Sequence, residues 1–169
     1  MRPPRGLKEL LSDLADGEGG FGGSSVHTGE STIDEYLRRC IDMSDPTKAE
    51  PGLVPQTTYW VLDESDEAIG IVRLRHYLSD KLRVRGGHCG YYIRSDKRGK
   101  GYGKTMLGLA LERLKDLGEH RALITTDSEN ASSVRIIEAN GGRFTEVGID
   151  PKRGVEYRRY WIDLEFSQS

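Results

Sequence analysis

The stretch "YYIRSDKRGKGYGKTMLGLALERL", residues 91–114, runs from a strand-like segment through a loop with three glycines into an apolar pattern of helical period. Its central part, "RGKGYGKT" (98–105), lies one residue away from a nucleotide-binding P-loop. That motif needs G-x-x-x-x-G-K-[ST], whereas only three residues separate Gly99 from Gly103, Lys104 and Thr105, and Arg98 stands where the first glycine belongs. The register matters because the loop must curl around a phosphate with its N–H groups inward, and the glycine spacing sets where it can curl. What survives is the context. A loop between a strand end and a helix N-terminus presents first-turn N–H groups without intrahelical partners, together with the positive end of the helix dipole. Gly99, Gly101 and Gly103 let the backbone approach a ligand, and Arg98, Lys100 and Lys104 add positive charge, so the loop reads as an anion seat.

Outward from this loop the pattern is regular. "TTYWVLD" and "AIGIVRLRHY" are β-branched and aromatic runs joined by an acidic turn, and "GHCGYYIR" supplies a third strand. The helix predicted over 101–117 turns Met106, Leu107, Ala110, Leu111 and Leu114 inward and ends at Gly118. "ALITTD" is an apolar strand, Asn130 opens another helix that stops at the "NGG" of 140–142, and "FTEVGI" and "VEYRRYWIDLEF" are predicted as closing strands. Before residue 57 lie two amphipathic helices, one on Leu7, Leu10, Leu11 and Leu14, the other on Ile33, Tyr36, Leu37, Cys40 and Ile41, capped by Ser31 or Thr32. Between them, "GEGGFGGSS" contains a formal G-x-G-x-x-G at Gly17, Gly19 and Gly22. It follows a helix instead of a strand, so a flexible flap is expected there and not a dinucleotide site. Strands and helices in this order predict an α/β (α+β) fold, with a mixed, mostly antiparallel sheet and flanking helices.

Composition narrows the partners. A chain of 169 residues is predicted as one domain over 1–169, with residues 57–169 as the sheet core and 1–56 as helices and flap. A net charge of -2 gives no basis for coating nucleic acid or an anionic membrane. The cysteines Cys40 and Cys89 have no metal-ligand spacing, so no metal is expected. No apolar run approaches the roughly 20 residues of a membrane span, and "MRPPRGLKELL" has no signal-peptide core, so a cytoplasmic location is expected.

"RGKGYG" also matches the Arg-x-x-Gly-x-Gly/Ala signature of the GNAT superfamily of N-acetyltransferases, and "NASS" (130–133) matches its Asn-x-x-Ser at the start of the next helix. The chain resembles that superfamily from about residue 59 to 144. "RHYL", "GGHCGYYIR" and "RYWIDL" are similar to a bacterial branch whose acetyl acceptor is unassigned. The resemblance implies a GNAT-like sheet with a splayed parallel strand pair that admits acetyl-coenzyme A. The loop 98–104 would sit on its diphosphate, the main chain of Tyr91 and Ile93 beside its pantetheine arm, and Asn130 and Ser133 nearby. The segment before residue 57 would form the acceptor side. The implied activity is acetyl transfer to a primary amine of a small molecule or peptide, in a protein that is allowed to form a homodimer. The alternative is a non-catalytic acyl-coenzyme A sensor, because the tyrosine that many members carry seven residues after the asparagine is Ile137 here.

Acyl transfer to an amine needs a base for the ammonium, polarisation of the thioester, and a proton for the departing thiolate. His88, at the start of the strand expected to carry the cofactor, is the first candidate for the base, with His76 and Asp127 behind it. Strand alternation places His88 opposite Ile93 unless a bulge re-aims it. Tyr91, Tyr92, Tyr157 and Tyr160 are the substitute acids.

Overall fold

The computed structural model describes residues 2–165. The elements follow in the order α1 (Leu7–Leu14), β1 (Gly17–Glu18), β2 (Phe21–Gly22), α2 (Ile33–Ser44), β3 (Gln56–Leu62), β4 (Ala68–Arg75), α3 (Asp80–Val84) and β5 (Cys89–Ile93). After a 3-10 turn at Ser95–Lys97 come α4 (Tyr102–Asp116), β6 (Arg121–Asp127), α5 (Ala131–Ala139), β7 (Arg143–Ile149) and β8 (Glu156–Asp163). The predicted last strand is shorter at both ends, and its Phe166 lies outside the described residues.

Two three-stranded antiparallel sheets result, β3-β4-β5 and β6-β8-β7, with the last strand inserted between its two predecessors. In the first, β4 is the middle strand and is buried on both faces. Its alternation sends Ile71 toward α1 and α2 with Tyr92 of β5, while Val72 and Leu74 join Cys89 against α4. The molecule is therefore three-layered. The α1 side is closed by the four leucines predicted from the sequence, all nearly fully buried. At about 1.5–3 kcal/mol for each buried apolar side chain, this face accounts for why an eight-residue helix holds its place. On the other side Met106, Leu107, Ala110, Leu111 and Leu114 pack onto both sheets with Ile137, Tyr160 and Ile162.

The sheets meet at β5 and β6. His88 donates its N–H to the Leu123 carbonyl at 2.8 Å, and the Leu123 N–H donates to His88 Nδ1 at 2.9 Å. Three residues further on, Tyr91 reaches Ser133, which lies beyond the far end of β6. The two strands thus run the same way. Among the described residues no ladder continues between them, and they diverge into a wedge. This is the splayed pair the resemblance implies, inside the predicted mostly antiparallel α/β arrangement.

Three local features differ from expectation. The glycine flap is a short hairpin, β1 paired with β2, and it is docked: Phe21 stacks on Tyr92 with centroids 6.4 Å apart and fills the space above Gly90. Helix α3 was not predicted, since five residues are too few to show a period; Ser79 caps it by accepting from the Leu82 N–H. Thr32, not Ser31, caps α2 in a reciprocal capping box with Glu35. On that helix Ile41 faces solvent and Met43 takes the inward place.

The closed end of the wedge depends on Gly87. Its φ is +63°, and a Cβ there would stand 2.2 Å from the Leu123 carbonyl oxygen. Arg75 fixes the same turn by donating to the carbonyls of Gly86 and Gly87, both at 3.1 Å. Gly87→Ala must therefore push β5 away from β6 and adopt an unfavourable backbone. We expect it to lose roughly 3 kcal/mol of unfolding free energy in urea titration. A variant within 0.5 kcal/mol of the parent, on that same order-of-magnitude scale, would show that the contact is not needed.

Candidate active site

In β5, the bonds Arg75 N–H to His88 C=O and Arg94 N–H to Ile69 C=O fix the ladder with β4. Main-chain groups alternate along a strand, so those of Gly90 and Tyr92 face β4 and those of Tyr91 and Ile93 face the wedge. The Ile93 carbonyl accepts from Arg98 Nε at 3.0 Å, which bends the arginine back over its own strand.

The glycine loop opens at the mouth of this wedge. Gly99 and Gly101 have φ of +75° and +85°, and a Cβ at either would meet nothing within 4 Å. Gly101 is the N-cap of α4 and supplies no side-chain cap, so the first-turn N–H groups point into an open cradle. Gly103 is different. Its α-carbon faces α5, where a Cβ would come 2.5 Å from Ile136 Cδ1, so helix packing by itself requires a glycine here. Among the described residues no carboxylate lies within ion-pair distance of Lys100 or Lys104. Arg98, by contrast, forms a fork with Glu18 of the flap, at 2.5 and 3.1 Å. At the far side of the wedge the Asn130 carboxamide oxygen accepts from the Ser133 N–H at 3.0 Å, as an N-cap does. Gly19 of the flap approaches the Asn130 amide nitrogen, so the hairpin spans the mouth from the glycine loop to α5.

His88 does not occupy the position expected of a base. It is 1% exposed, the ladder of β4 with β5 runs from Cys89 to Ile93 without a register shift, and the His88 Nδ1 accepts from the Leu123 amide at the closed end of the wedge. Its Nε2, 3.6 Å from a Glu119 carboxylate oxygen, points away from the mouth. Burial pushes the imidazole down to about 4, helped by the Arg83 and Arg75 guanidiniums. The residue is a neutral strut. The other two candidates are also committed. His76 Nε2 is bonded to Thr57 Oγ1 at 2.9 Å, and the Asp127 carboxylate accepts from Arg85 at 2.6 Å and from Arg153 at 2.6 and 3.0 Å.

Neither Arg85 nor Arg153 was singled out from sequence. Both also hold Asp150, whose carboxyl sits at about 2: burial works against the charge, but the N–H groups of Lys152 and Arg153 and the two guanidiniums outweigh it. Among the tyrosines, Tyr92 donates to Asp13 at 2.6 Å, Tyr157 to the Val84 carbonyl, and Tyr160 lies fully in the core. Only Tyr91 reaches the start of α5, 2.6 Å from Ser133 Oγ, and burial raises its phenol above the ordinary range, so it stays protonated. Ile137 is fully buried against α4 and the sheet, so this position faces the core and not the wedge.

The family model of the acetyltransferase (GNAT) domain matches residues 19–143, and the chain belongs to that family. It is similar to the L-methionine sulfoximine/L-methionine sulfone acetyltransferase of Salmonella typhimurium, 32% identical over 77 residues that make up 46% of this chain and 43% of the relative. The matched stretch thus spans less than half the length of that relative. The fold is that of the ribosomal-protein-S5-alanine acetyltransferase of Vibrio fischeri, with a TM-score of 0.71 at 15% identity over 97% of this chain and 89% of that one. It is also that of a GNAT superfamily phosphinothricin acetyltransferase of Sinorhizobium meliloti in complex with AcCoA, with a TM-score of 0.60 at 15% identity over 94% and 81% of the two chains. Among the described residues, no helix is long and apolar enough to cross a membrane.

The strut role of His88 has a pH signature. A histidine near 6.5 when unfolded and about 4 when folded binds its proton more readily in the unfolded chain, so stability falls as pH drops from 6.5 to 4. His88→Gln keeps an acceptor for the Leu123 N–H but cannot titrate. Its unfolding free energy should be lower than the parent's at neutral pH and should fall less steeply below it. Parallel stability curves for the two proteins over that range would refute the buried neutral imidazole.

Proposed function

We propose that this protein transfers an acetyl group from acetyl-coenzyme A to the amine of a small molecule, and that residues 98–104 bind the diphosphate of the donor. The observation that carries the reading is the placing of an open glycine cradle at the N-terminus of α4 beside a wedge lined by the main chain of Tyr91 and Ile93. A diphosphate suits such a cradle because several N–H groups and a helix dipole converge without side-chain obstruction. Gly99, Lys100, Gly101 and Lys104 would hold it, and Arg98 would join them on release from Glu18. Asn130 Nδ2, the Tyr91 N–H and C=O and the Ile93 N–H are polar groups available to the pantetheine arm, the Ile93 carbonyl being taken by Arg98.

The chemistry asks little more of the chain. The neutral amine attacks the thioester carbonyl carbon, the C–S bond breaks as the tetrahedral intermediate collapses, and sulfur leaves as thiolate. The Ile93 N–H is the donor suited to the carbonyl oxygen, and the Tyr91 phenol, backed by Ser133, to the thiolate. With His88, His76 and Asp127 engaged elsewhere, the ammonium proton goes to solvent. A thiol with a pKa of about 8.5 is a tolerable leaving group, so burial of Ile137 at the tyrosine position does not exclude turnover. A peptide amine is the other acceptor the sequence allows, and a panel of small amines and peptides distinguishes them.

Calorimetry with acetyl-coenzyme A provides the test. Gly101→Val places a branched side chain in the cradle but meets nothing of the fold, so it should weaken binding more than about tenfold, given roughly 1.5–3 kcal/mol for each charge-assisted hydrogen bond lost. The backbone penalty at positive φ should cost only about 1–2 kcal/mol of stability. Glu18→Gln should tighten binding a few-fold at most, because an ion pair this exposed is worth about 0.2–1 kcal/mol. Equal affinity in the Gly101→Val protein and the parent, or a parent that does not bind acetyl-coenzyme A, would overturn the assignment.

A further inference from the structure

On the α1 side of the first sheet, separate from the glycine cradle, lies a cavity of about 380 Å³, a size suited to a small ligand. Its wall includes Tyr36, Cys40, Met43, Thr58, Ser25 and Arg73. Arg73 is the anomaly. It belongs to β4, where Ile71 precedes it and Tyr92 neighbours it on the face toward α1 and α2, and every other position from Ala68 to Leu74 is buried. Among the described residues no carboxylate lies within ion-pair distance of its guanidinium. Its hydrogen bonds are long ones to neutral acceptors, 3.3 Å to the Gly22 carbonyl and 3.4 Å to the Tyr36 hydroxyl, and its flat face lies 4.4 Å from the centre of the Phe21 ring.

The surrounding arginines are engaged differently. Arg39, on the same cavity, is paired with Glu50 at 2.7 Å. Arg85 and Arg153 each hold two carboxylates, Arg98 holds Glu18, and Arg75 is used by two carbonyls. A half-buried guanidinium on the wall of a cavity, held only by two long hydrogen bonds to neutral acceptors and by no carboxylate, is set to receive an oxyanion, and its fork matches a carboxylate in a bidentate pair. The acidic residues of the cavity, Asp16 and Glu30, are exposed to solvent. A ligand with cationic groups alone would meet water-screened charges there and an uncompensated cation at Arg73.

The position of Arg73 connects this cavity to the chemistry. In the register of β4 and β5 it stands opposite Gly90, the residue before Tyr91, whose main chain faces the wedge. We infer that the cavity is the acceptor site and that the acceptor is a small amine that also carries a carboxylate, anchored by Arg73. Phe21 and Tyr36 hold the guanidinium in place, so the flap that covers the wedge also shapes the acceptor site. This inference rests on the acetyl-transfer reading above, and its test can fail while that reading stands.

The experiment measures release of the coenzyme A thiol with free L-amino acids, the same compounds as carboxamides, polyamines and short peptides. We expect at least one free amino acid to be acetylated with a kcat/KM at least about tenfold above that of its own amide. Arg73→Gln should lower kcat/KM for that acid about 10- to 100-fold, chiefly through KM, lower it far less for the amide so that the acid preference is lost, and bind acetyl-coenzyme A as the parent does. Arg73→Lys, with a charge but no fork, should fall between them. Amides used as well as acids would overturn the anchor. So would an acid preference that survives Arg73→Gln, or turnover confined to polyamines and peptides, or no turnover of any amine by a protein that binds acetyl-coenzyme A. Failure to bind acetyl-coenzyme A would bring down the acetyl-transfer reading itself.

Discussion

Two hydrogen bonds between His88 and Leu123 hold the architecture together, one through the backbone and one through the imidazole. They join β5 to β6 at one end only. If the strands paired along their full length, the sheet would be continuous and the peptide groups of Tyr91 and Ile93 would be spent on β6. If they did not meet at all, nothing would set the opening between them. Gly87 is required because the approach to Leu123 leaves no room for a Cβ, and Arg75 is required because the turn exposes the carbonyls of Gly86 and Gly87. The buried neutral imidazole serves this junction because it can accept from the Leu123 amide without carrying a charge into the interior.

The sequence carried the order of elements and the glycine loop because both are written in short-range signals. Period-2 and period-3.6 patterns, Thr32 with Glu35, and Gly118 after α4 each depend on a few neighbouring residues. The residues that matter most around the site are not of this kind. His88 stands where a base would be welcome, but whether it faces the mouth or the closed end depends on a contact with Leu123, thirty-five residues away. Gly103 belongs to the loop signature, yet its role is set by Ile136 on another helix. The flap reads as mobile by composition, and is docked because Phe21 finds Tyr92 and Glu18 finds Arg98. Arg73 does carry a sequence signal: in "IGIVRLR" an arginine falls on the inward phase of an otherwise apolar strand, and a charge at such a position needs a partner or a purpose.

Charge around the wedge is divided in an orderly way. The arginines at the end of β6 are neutralised by Asp127 and Asp150, and Arg94 and Lys97 by Glu67, Asp96 and Asp63. These pairs brace the loops on either side of the opening. The positive charge left over lies at Lys100 and Lys104 beside the glycine cradle and at Arg73 on the other face. Glu18 occupies Arg98 from the flap, at the place where a diphosphate would bring negative charge. Basic side chains without a carboxylate partner therefore lie on both sides of β5, Lys100 and Lys104 on one and Arg73 on the other, separated by the strand whose Tyr91 and Ile93 peptide groups face the wedge.

Each half of the sheet is continuous in sequence. β3, β4 and β5 occupy residues 56–93, and β6, β7 and β8 occupy residues 121–163, so every strand pairing is made within its own half. Pairings of short sequence separation close cheap loops and form early, and a chain leaving the ribosome presents the first half before the second exists. The junction of β5 with β6 is the long-range step, and α4 is the splint that brings the halves together. The wedge is thus the seam between two sheets that are each continuous in sequence. Its width is fixed by how they dock, and α4, which packs onto both, sets that docking without being a strand of either.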